Sequence, residues 1–599
     1  MVQYDDLLTD IVGEFGTFQK ICFILLGIAC IPWGSIQLSP VFLFATTDSW
    51  CKVPHAGEIG QQFCLANMTS NCEELVKNLT IPKEQIDIGC GITWRFEQCY
   101  RYDYANASSV MHDGNSKSYW NITGKVKCDH GWDYDRSEYK STVSQEFDLV
   151  CDRFYMNALA STIFMFGFTI GSVMVGWIFD RYGKETTVFF LFNGFFPSIG
   201  RRKGFMVTWS ATIVFGIIEA FAPNYIVFVI VRFFMAATGF GLYLAGCILG
   251  CEYVGPSWRN VTGMIYPMFF SVGIMVLAPQ AYLIRQWWSL QLAIIVPCVL
   301  LLCYWWIIPE SPRWLISKGR IDEAESIIRR CCRINKVAFS EEKFSEAMRN
   351  IVKSRNECLE AGDKANHSLL SLFRYPNMRK KTLILFFNWV TICIVYYGIS
   401  FDTSSLGGNP YVNMLISGAV EIPAGVCGLF LIDHPKFGRW GTMILVMISG
   451  GVACIILTFV PPCGDYVWIG ITLAMTGKLF ITAGFSIIYL YSAELFPTPL
   501  RSTGVGMCSS IARVGAMIAP QLIFMSTIWE PLFSVVSGIT SIVAGLLIIP
   551  LPETRGRKLP ETLMEAEEFE KKHKPNCSYQ GYGEIRKVEV NDIYEMNGI

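Results

Sequence analysis

Apolar residues run along this chain in blocks of about 20, the length a helix needs to cross a hydrocarbon core of about 30 Å. The pattern predicts spans near 19–44, 155–179, 205–222, 225–250, 259–284 and 288–308. A second set follows near 382–400, 411–433, 441–460, 466–491, 503–527 and 531–550. Between the sets lies a polar segment rich in Lys and Arg, 309–381, whose heart, 319–330, has helical periodicity without the apolar length to enter a bilayer. The expectation is an all-α membrane protein of twelve transmembrane helices in two six-helix bundles. Its parts are a terminal segment 1–18, a first half 19–308 containing a long loop 45–154, the connector 309–381, a second half 382–550 and a tail 551–599.

The polar links give this arrangement a direction. The link after the second span holds Arg181, Lys184, Arg201, Arg202 and Lys203. The link after the sixth ends in Arg379, Lys380 and Lys381, and the one after the eighth has Lys436 and Arg439. The alternate links near 222–224, 402–406, 461–464 and 529–531 are nearly free of bases, with Arg285 the exception. Positive residues stay inside, so both termini and the connector are expected in the cytoplasm of a multi-pass plasma-membrane protein. The loop 45–154 then falls outside. It carries sequons at Asn67, Asn78, Asn106 and Asn121, usable only on that side. It also carries Cys51, Cys64, Cys72, Cys90, Cys99, Cys128 and Cys151, which read as a disulfide framework of open connectivity. Seven is odd, so one thiol is left free or pairs with another chain, which would give a homo-oligomer through the loop. The remaining fifteen cysteines are expected to be packing residues. The first apolar stretch, 21–44, is too long for the core of a cleavable signal and is expected to be a span.

Composition narrows the chemistry. Of 599 residues, 52% are hydrophobic, 14% aromatic and 17% charged, against about 25% charged in soluble proteins. The net charge of −1 comes with no basic face, which speaks against a nucleic-acid partner and leaves membrane lipid and a small solute. The six His show no metal-ligand spacing, so neither a metal, a cofactor nor an enzymatic cluster is expected. No Walker sequence is present to couple ATP.

Four short motifs follow the spans. They are Gly176-Trp-Ile-Phe-Asp180-Arg-Tyr-Gly183, Pro309-Glu-Ser-Pro-Arg313-Trp-Leu-Ile-Ser-Lys-Gly319, Tyr491-Ser-Ala-Glu494-Leu-Phe-Pro-Thr-Pro-Leu-Arg501 and Pro552-Glu-Thr-Arg-Gly556. With Tyr4-Asp5 and Gly13-Glu-Phe-Gly16 they resemble the organic cation/carnitine (organic ion) transporter family of the major facilitator superfamily, over nearly the whole chain to about residue 562. The resemblance implies the major facilitator fold and transport by alternating access around a midplane site. It also implies a cytoplasmic gate built from Asp180, Arg181, Arg201, Arg202, Arg232, Glu252, Arg259, Glu310, Arg313, Glu494 and Arg501, with simple anchoring as the rival role. One departure stands out. The family motif continues from Gly183 directly into Arg-Arg-Lys-Gly, which here begins only at Arg201. Residues 184–200 therefore read as an insertion, from alternative splicing or a gene-model error, and 188–196 is too short for a further span.

Ionisable residues inside spans are costly and so are candidates for function. Arg513 occupies a position where cation-transporting relatives carry Asp and anion and carnitine branches carry Arg. Glu421 matches the family's acidic position in span eight, where strongly anion-selective members place a Lys shortly after the following Pro; here it is Gly425. Lys478 matches a family Lys of span ten, and Glu421 could equally neutralise Arg513 or Lys478. Trp389, Tyr396, Tyr397 and Tyr243 could hold a quaternary ammonium by cation–π attraction, with packing as the alternative. Carnitine-type members have Pro-Asn-Gly in the first span, and Pro32-Trp33-Gly34 here puts sodium coupling in doubt, leaving sodium or a proton as the coupling ion. The expected function is a secondary transporter of small organic cations or zwitterions, such as carnitine-like or betaine-like solutes and amines. An organic anion transporter is the alternative, and a transport-dead receptor or scaffold is the alternative of another class.

Overall fold

The structure is a computed structural model that describes residues 2–54, 72–87, 91–107, 119–180, 200–337, 341–360, 371–461, 463–557, 559–560 and 562–569. Twelve apolar helices carry the fold. The first half holds α1 (Thr17–Leu38), α2 (Tyr155–Asp180), α3 (Arg201–Ala220), α4 (Tyr225–Tyr253), α5 (Pro256–Leu283) and α6 (Trp287–Leu300). The second holds α7 (Pro376–Phe401), α8 (Pro410–Ile432), α9 (Gly438–Leu457), α10 (Tyr466–Leu495), α11 (Arg501–Met525) and α12 (Leu532–Ile548). Among the described residues eleven of these stretches are long and apolar enough to cross a membrane, and α12 is apolar but has 17 residues.

Local chemistry sets several helix ends. Asn224 accepts the Val227 N–H at the start of α4, and Asn409 accepts those of Tyr411 and Val412 before Pro410 opens α8. Such caps satisfy amides that a helix start leaves bare. Within the first half α1 packs on α5 and α4 on α2 and α3; within the second α7 packs on α11 and α9 on α10 and α12. The halves meet where α5 packs on α8 and α2 on α11. The α1–α5 crossing is closest at Gly34 and Gly273, where a Cβ on either would fall on the backbone of the other helix. There the Ser35 hydroxyl donates to the Gly273 carbonyl at 2.7 Å.

The long loop is not held by disulfides alone. Among the described residues six short strands, β1 (Ser49–Cys51), β2 (Lys83–Asp87), β3 (Ile92–Phe96), β4 (Tyr100–Ala107), β5 (Tyr119–Lys127) and β6 (Trp132–Tyr134), form antiparallel ladders β1–β6, β2–β3 and β4–β5. Cys51 pairs with Cys128 and Cys99 with Cys151, at Cα separations of 5.1 and 5.6 Å. Cys64 and Cys90 lie outside the described residues, and Cys72 opens a helix, Cys72–Thr80. One expectation is corrected: Cys463, counted among the packing cysteines, is disulfide-bonded. It sits in the α9–α10 link, on the face that carries the loop. Of the sequons, Asn78 is exposed on its helix, the Asn106 and Asn121 backbones lie in the β4–β5 ladder, and Asn67 is outside the described residues.

On the opposite face the connector folds into helices, Pro312–Lys318, Ile321–Asn335 and Glu341–Glu360. The Asn335 carboxamide accepts the Phe18 N–H at 2.8 Å and donates to the Val12 carbonyl, fixing the connector under the start of α1. A tail helix, Leu563–Glu568, docks on α7, where the Glu567 carboxylate accepts the N–H groups of Asn377 and Met378, each at 2.8 Å.

Candidate functional site

Most sequence-predicted substrate residues meet at mid-depth between the halves. On α8 Glu421 ion-pairs with Lys478 of α10, with Oε1 3.0 Å from Nζ, and neither side chain is exposed beyond 3%. Tyr396 of α7 donates to the same oxygen at 2.8 Å, and Ser271 of α5 donates to Oε2 at 2.6 Å. Lys478 also donates to the Ser417 hydroxyl at 2.5 Å. So Glu421 neutralises Lys478, not Arg513, and through Ser271 the pair is tied across the interface to the first half.

Arg513 of α11 is 4% exposed. Its guanidinium carbon lies 4.3 Å from the Phe168 ring of α2 and 4.7 Å from the Phe240 ring of α4. Its Nε is buried without a hydrogen-bond partner, and no carboxylate pairs with it among the described residues. Lysine and glutamate cancel nearby, so the centre keeps one net positive charge.

The predicted aromatics divide around these charges. Tyr397 accepts a hydrogen bond from Gln37 of α1 at 2.8 Å, a second tie between the halves. Trp389 is fully buried, donates to Ser492 at 3.0 Å and meets the Tyr489 ring edge-on at 4.4 Å. Tyr243 stacks on Phe240 at 6.0 Å, one ring removed from Arg513. Trp33 is buried and stacks on Phe168 at 5.7 Å, so an indole fills the space behind the ring that faces Arg513. The sequence reading missed Ser271, Gln37, Phe168 and Phe240 as neighbours. Ser271 and Gln37 were visible as polar residues inside apolar spans; nothing in sequence marks the two Phe.

Arg201, Arg202, Glu252, Glu310 and Glu494 of the predicted gate, joined by Arg439 and Glu553, which were not predicted for it, gather on the face opposite the loop in two like arrangements. In the first half Arg201 opens α3 and reaches Glu252 at the end of α4, Nε to Oε1 3.4 Å. The Glu310 carboxylate accepts the Arg202 N–H at 2.9 Å, and Tyr253 donates to the Pro309 carbonyl at 2.5 Å. In the second half Arg439 opens α9 and reaches Glu494 at the end of α10 at 3.4 Å. Glu553 accepts the N–H groups of Arg439 and Trp440, and Tyr491 donates to the Pro552 carbonyl at 2.8 Å. Each clasp places a carboxylate against a helix N-terminus, where bare N–H groups and the helix dipole favour it. Burial outweighs those donors at Glu310 and holds its carboxyl above the usual carboxylate range.

Other members fall differently. Arg259 and Arg313 both meet Asp5, at 2.5 and 3.7 Å, a partner that the sequence reading did not include. Arg501 donates to the Thr498 hydroxyl at 3.4 Å and meets no carboxylate among the described residues; Glu494 turns to Arg439 instead. Asp180 ends α2, and Arg181 and 184–199 lie outside the described residues, while α3 begins at Arg201, where the displaced motif resumes. Arg232 corrects the expectation outright. It lies two turns into α4 from the loop-side end and ion-pairs with Glu219 of α3, far from the gate charges. Gln291 of α6 donates to the second Glu219 oxygen at 3.2 Å.

Residues 125–565 match the model of the sugar (and other) transporter family. The chain is 36% identical to the "Organic cation transporter protein" of Drosophila melanogaster, covering 96% of each. It is 34% identical to "Solute carrier family 22 member 3" of Mus musculus, covering 97% of each. It belongs to the organic ion transporters of the major facilitator superfamily. The solved inward-open xylose transporter XylE from E. coli superposes with a TM-score of 0.53 at 17% identity, covering 72% of this chain and 93% of that one, a likeness of fold. These organic ion transporters are membrane carriers and not enzymes, so the chain is a secondary transporter.

Proposed function

We propose that the protein carries small organic zwitterions and cations across the plasma membrane by alternating access, with a preference for solutes that pair an ammonium with a carboxylate. The observation that carries this reading is Arg513, a buried cation with no acid to neutralise it among the described residues. An uncompensated charge of this kind is costly in a membrane interior unless a ligand completes it. A solute carboxylate would take the guanidinium in a bidentate pair, while its ammonium end would face Tyr397, Tyr243 and the rings beside them. Glu421 and Lys478, already paired and tied to both halves, would re-form their contacts as the halves rock.

A second reading, bare organic cations as the main cargo, has in its favour the printed names of the relatives. It would require Glu421 to leave Lys478 and face the solute. In either case the basic links, the connector and both termini would lie in the cytoplasm, and the disulfide-bonded loop outside. Uptake of labelled carnitine, tetraethylammonium and p-aminohippurate, with and without Arg513→Asp at matched surface expression, tests the reading. Carnitine uptake is expected to fall and tetraethylammonium uptake to hold or rise. Unchanged preference would remove Arg513 from the site.

A further inference from the structure

Lys20, Arg330, Arg333 and Lys336 meet where the connector joins α1, on the face opposite the loop. The Asn335 carboxamide holds the two elements together, accepting the Phe18 N–H at 2.8 Å and donating to the Gln19 side chain at 3.0 Å. That joint brings the end of the Ile321–Asn335 helix beside the first turn of α1. Arg330 and Arg333 lie in the final two turns of the connector helix, Lys336 is its C-cap, and Lys20 lies in the first turn of α1. All four are exposed. Arg330 is near enough to Cys22, in the second turn of α1, for its charge to act on that side chain.

Among the described residues no carboxylate pairs with any of the four. The ion pairs of the connector lie elsewhere, joining Arg320 to Glu323 and Arg329 to Glu325 and Glu341. The helix dipole explains part of the pattern, because bases are favoured at a helix C-terminus, where Arg333 and Lys336 stand. Lys20 is at the opposite, positive end of α1, where a base gains nothing from the helix. The surroundings are those of a bilayer surface. Ile21, Ile24 and Ile28 form an exposed apolar stripe at helical spacing next to Lys20. Phe15 stacks on the exposed Trp258 at 4.8 Å, and the Lys20 ammonium lies 5.7 Å from the Phe15 ring. Amphipathic rings such as the Trp258 indole settle at the level of lipid headgroups.

We infer that this corner binds the headgroup of an anionic phospholipid, with its acyl chains along the Ile21, Ile24 and Ile28 stripe. Each base at a membrane surface strengthens attraction to acidic lipids by about fivefold. A phosphate here meets four donors with no acid to oppose it, and its charge relieves the repulsion among them. Under the orientation proposed above, the corner faces the cytoplasmic leaflet, which carries the acidic lipids; binding itself needs no orientation. A bound headgroup bridges α1 and the connector beside Asn335 and so braces that joint. The site lies at the membrane surface and Arg513 at mid-depth, so its occupancy does not depend on which solute the centre carries.

Lipid titration of the full-length protein reads this without transport. The protein is held in mixed micelles of detergent and phosphatidylcholine, and its melting temperature is followed as phosphatidylserine replaces phosphatidylcholine at fixed total lipid. A saturable rise is expected, and added salt should weaken it. Lys20→Gln, Arg330→Gln, Arg333→Gln and Lys336→Gln should each lower the apparent affinity for phosphatidylserine by about fivefold, and the four together should abolish the rise. The positions are exposed, so the variants should melt in phosphatidylcholine alone where the native protein does. The single substitutions carry the test if the fourfold variant does not fold. Arg329→Gln, at a base already paired, should leave the affinity unchanged. Soluble glycerophosphoserine should have no effect; if it matched the lipid, the corner would be a site for free phosphate esters and the lipid assignment would fall. No response to phosphatidylserine, or a response that the four substitutions leave intact, would overturn the inference. Because melting needs no turnover, a protein that binds phosphatidylserine here yet takes up no solute would count against the proposed transport function and not against this site.

Discussion

Arg232 and Arg513 are both buried in the apolar interior with aromatic rings against their guanidinium groups. Phe164 lies 4.9 Å from Arg232, and Phe168 lies 4.3 Å from Arg513. They differ in what neutralises them and in what they join. Arg232 is paired with Glu219, with Ser39 and Gln291 completing the network, all within the first half. Arg513 stands on α11 of the second half, its two rings come from the first, and among the described residues it has no acid. A charge balanced inside one bundle can ride with that bundle through every state. A charge left unbalanced at the interface changes surroundings whenever the halves move, and a solute can supply what is missing. Pairing, more than burial or ring contact, separates a structural charge from a binding one.

The comparison breaks most visibly when each arginine is removed. Arg232→Leu leaves Glu219 buried without its cation, a loss of about 3–5 kcal/mol. Poor surface expression and a large drop in melting temperature in detergent are expected. Arg513→Leu strands no carboxylate, so melting temperature should hold or rise while the Michaelis constant for a zwitterion rises about ten- to a hundredfold, or about 1.4–2.8 kcal/mol. If Arg513→Leu unfolded the protein as badly as Arg232→Leu, the distinction between the two would be lost.

Glu421 supplies an intermediate case, because its ion pair lies in one half but its Ser271 contact lies in the other. Glu421→Gln leaves Lys478 charged and buried, with the Ser417 hydroxyl and the Tyr396 ring as its remaining contacts. The expected result is a loss of about 1–3 kcal/mol in stability, together with a lower maximal uptake rate, since the tie across the interface weakens too. Glu421→Gln with Lys478→Met should recover stability without recovering rate. Recovery of both would make the pair purely structural.

Apolar length alone gave the spans to within a few residues, because it is a local property. What the sequence hid was partnership at long range. Asp5 meets Arg259 across 254 positions, and Phe168 and Phe240 reach Arg513 from another bundle. Motif neighbourhood alone puts Arg232 with the gate, whereas its distance from the helix start does not. Seven residues past Tyr225 is about 10 Å of rise, which keeps it near the loop face. The odd count of cysteines arose the same way: adding Cys463, which lies on the same face, to the loop's seven makes an even number.

The smallest expected effect concerns a buried charge satisfied without a side-chain cation of its own. Glu310 accepts the N–H groups of Arg202 and Ser311, at 2.9 and 3.1 Å, and burial raises its carboxyl above the ordinary value near 4.5. A carboxyl raised by folding binds its proton more tightly in the folded than in the unfolded state. Its contribution to stability is therefore greatest below the ordinary value and is lost as pH rises through the raised one. Glu310→Gln keeps an acceptor for both amides and removes the buried charge, so melting temperature at pH 7 should change by no more than the equivalent of about 1 kcal/mol. The clearer signature is in the pH profile. As pH falls from 7 toward the ordinary carboxyl value near 4.5, the native protein should gain a small increment of stability at this site that Glu310→Gln lacks, measured as the difference between the two melting curves. A constant difference across that range would mean that the backbone donors, and not burial, govern Glu310, and would place it with Arg232 among charges fully balanced by their surroundings.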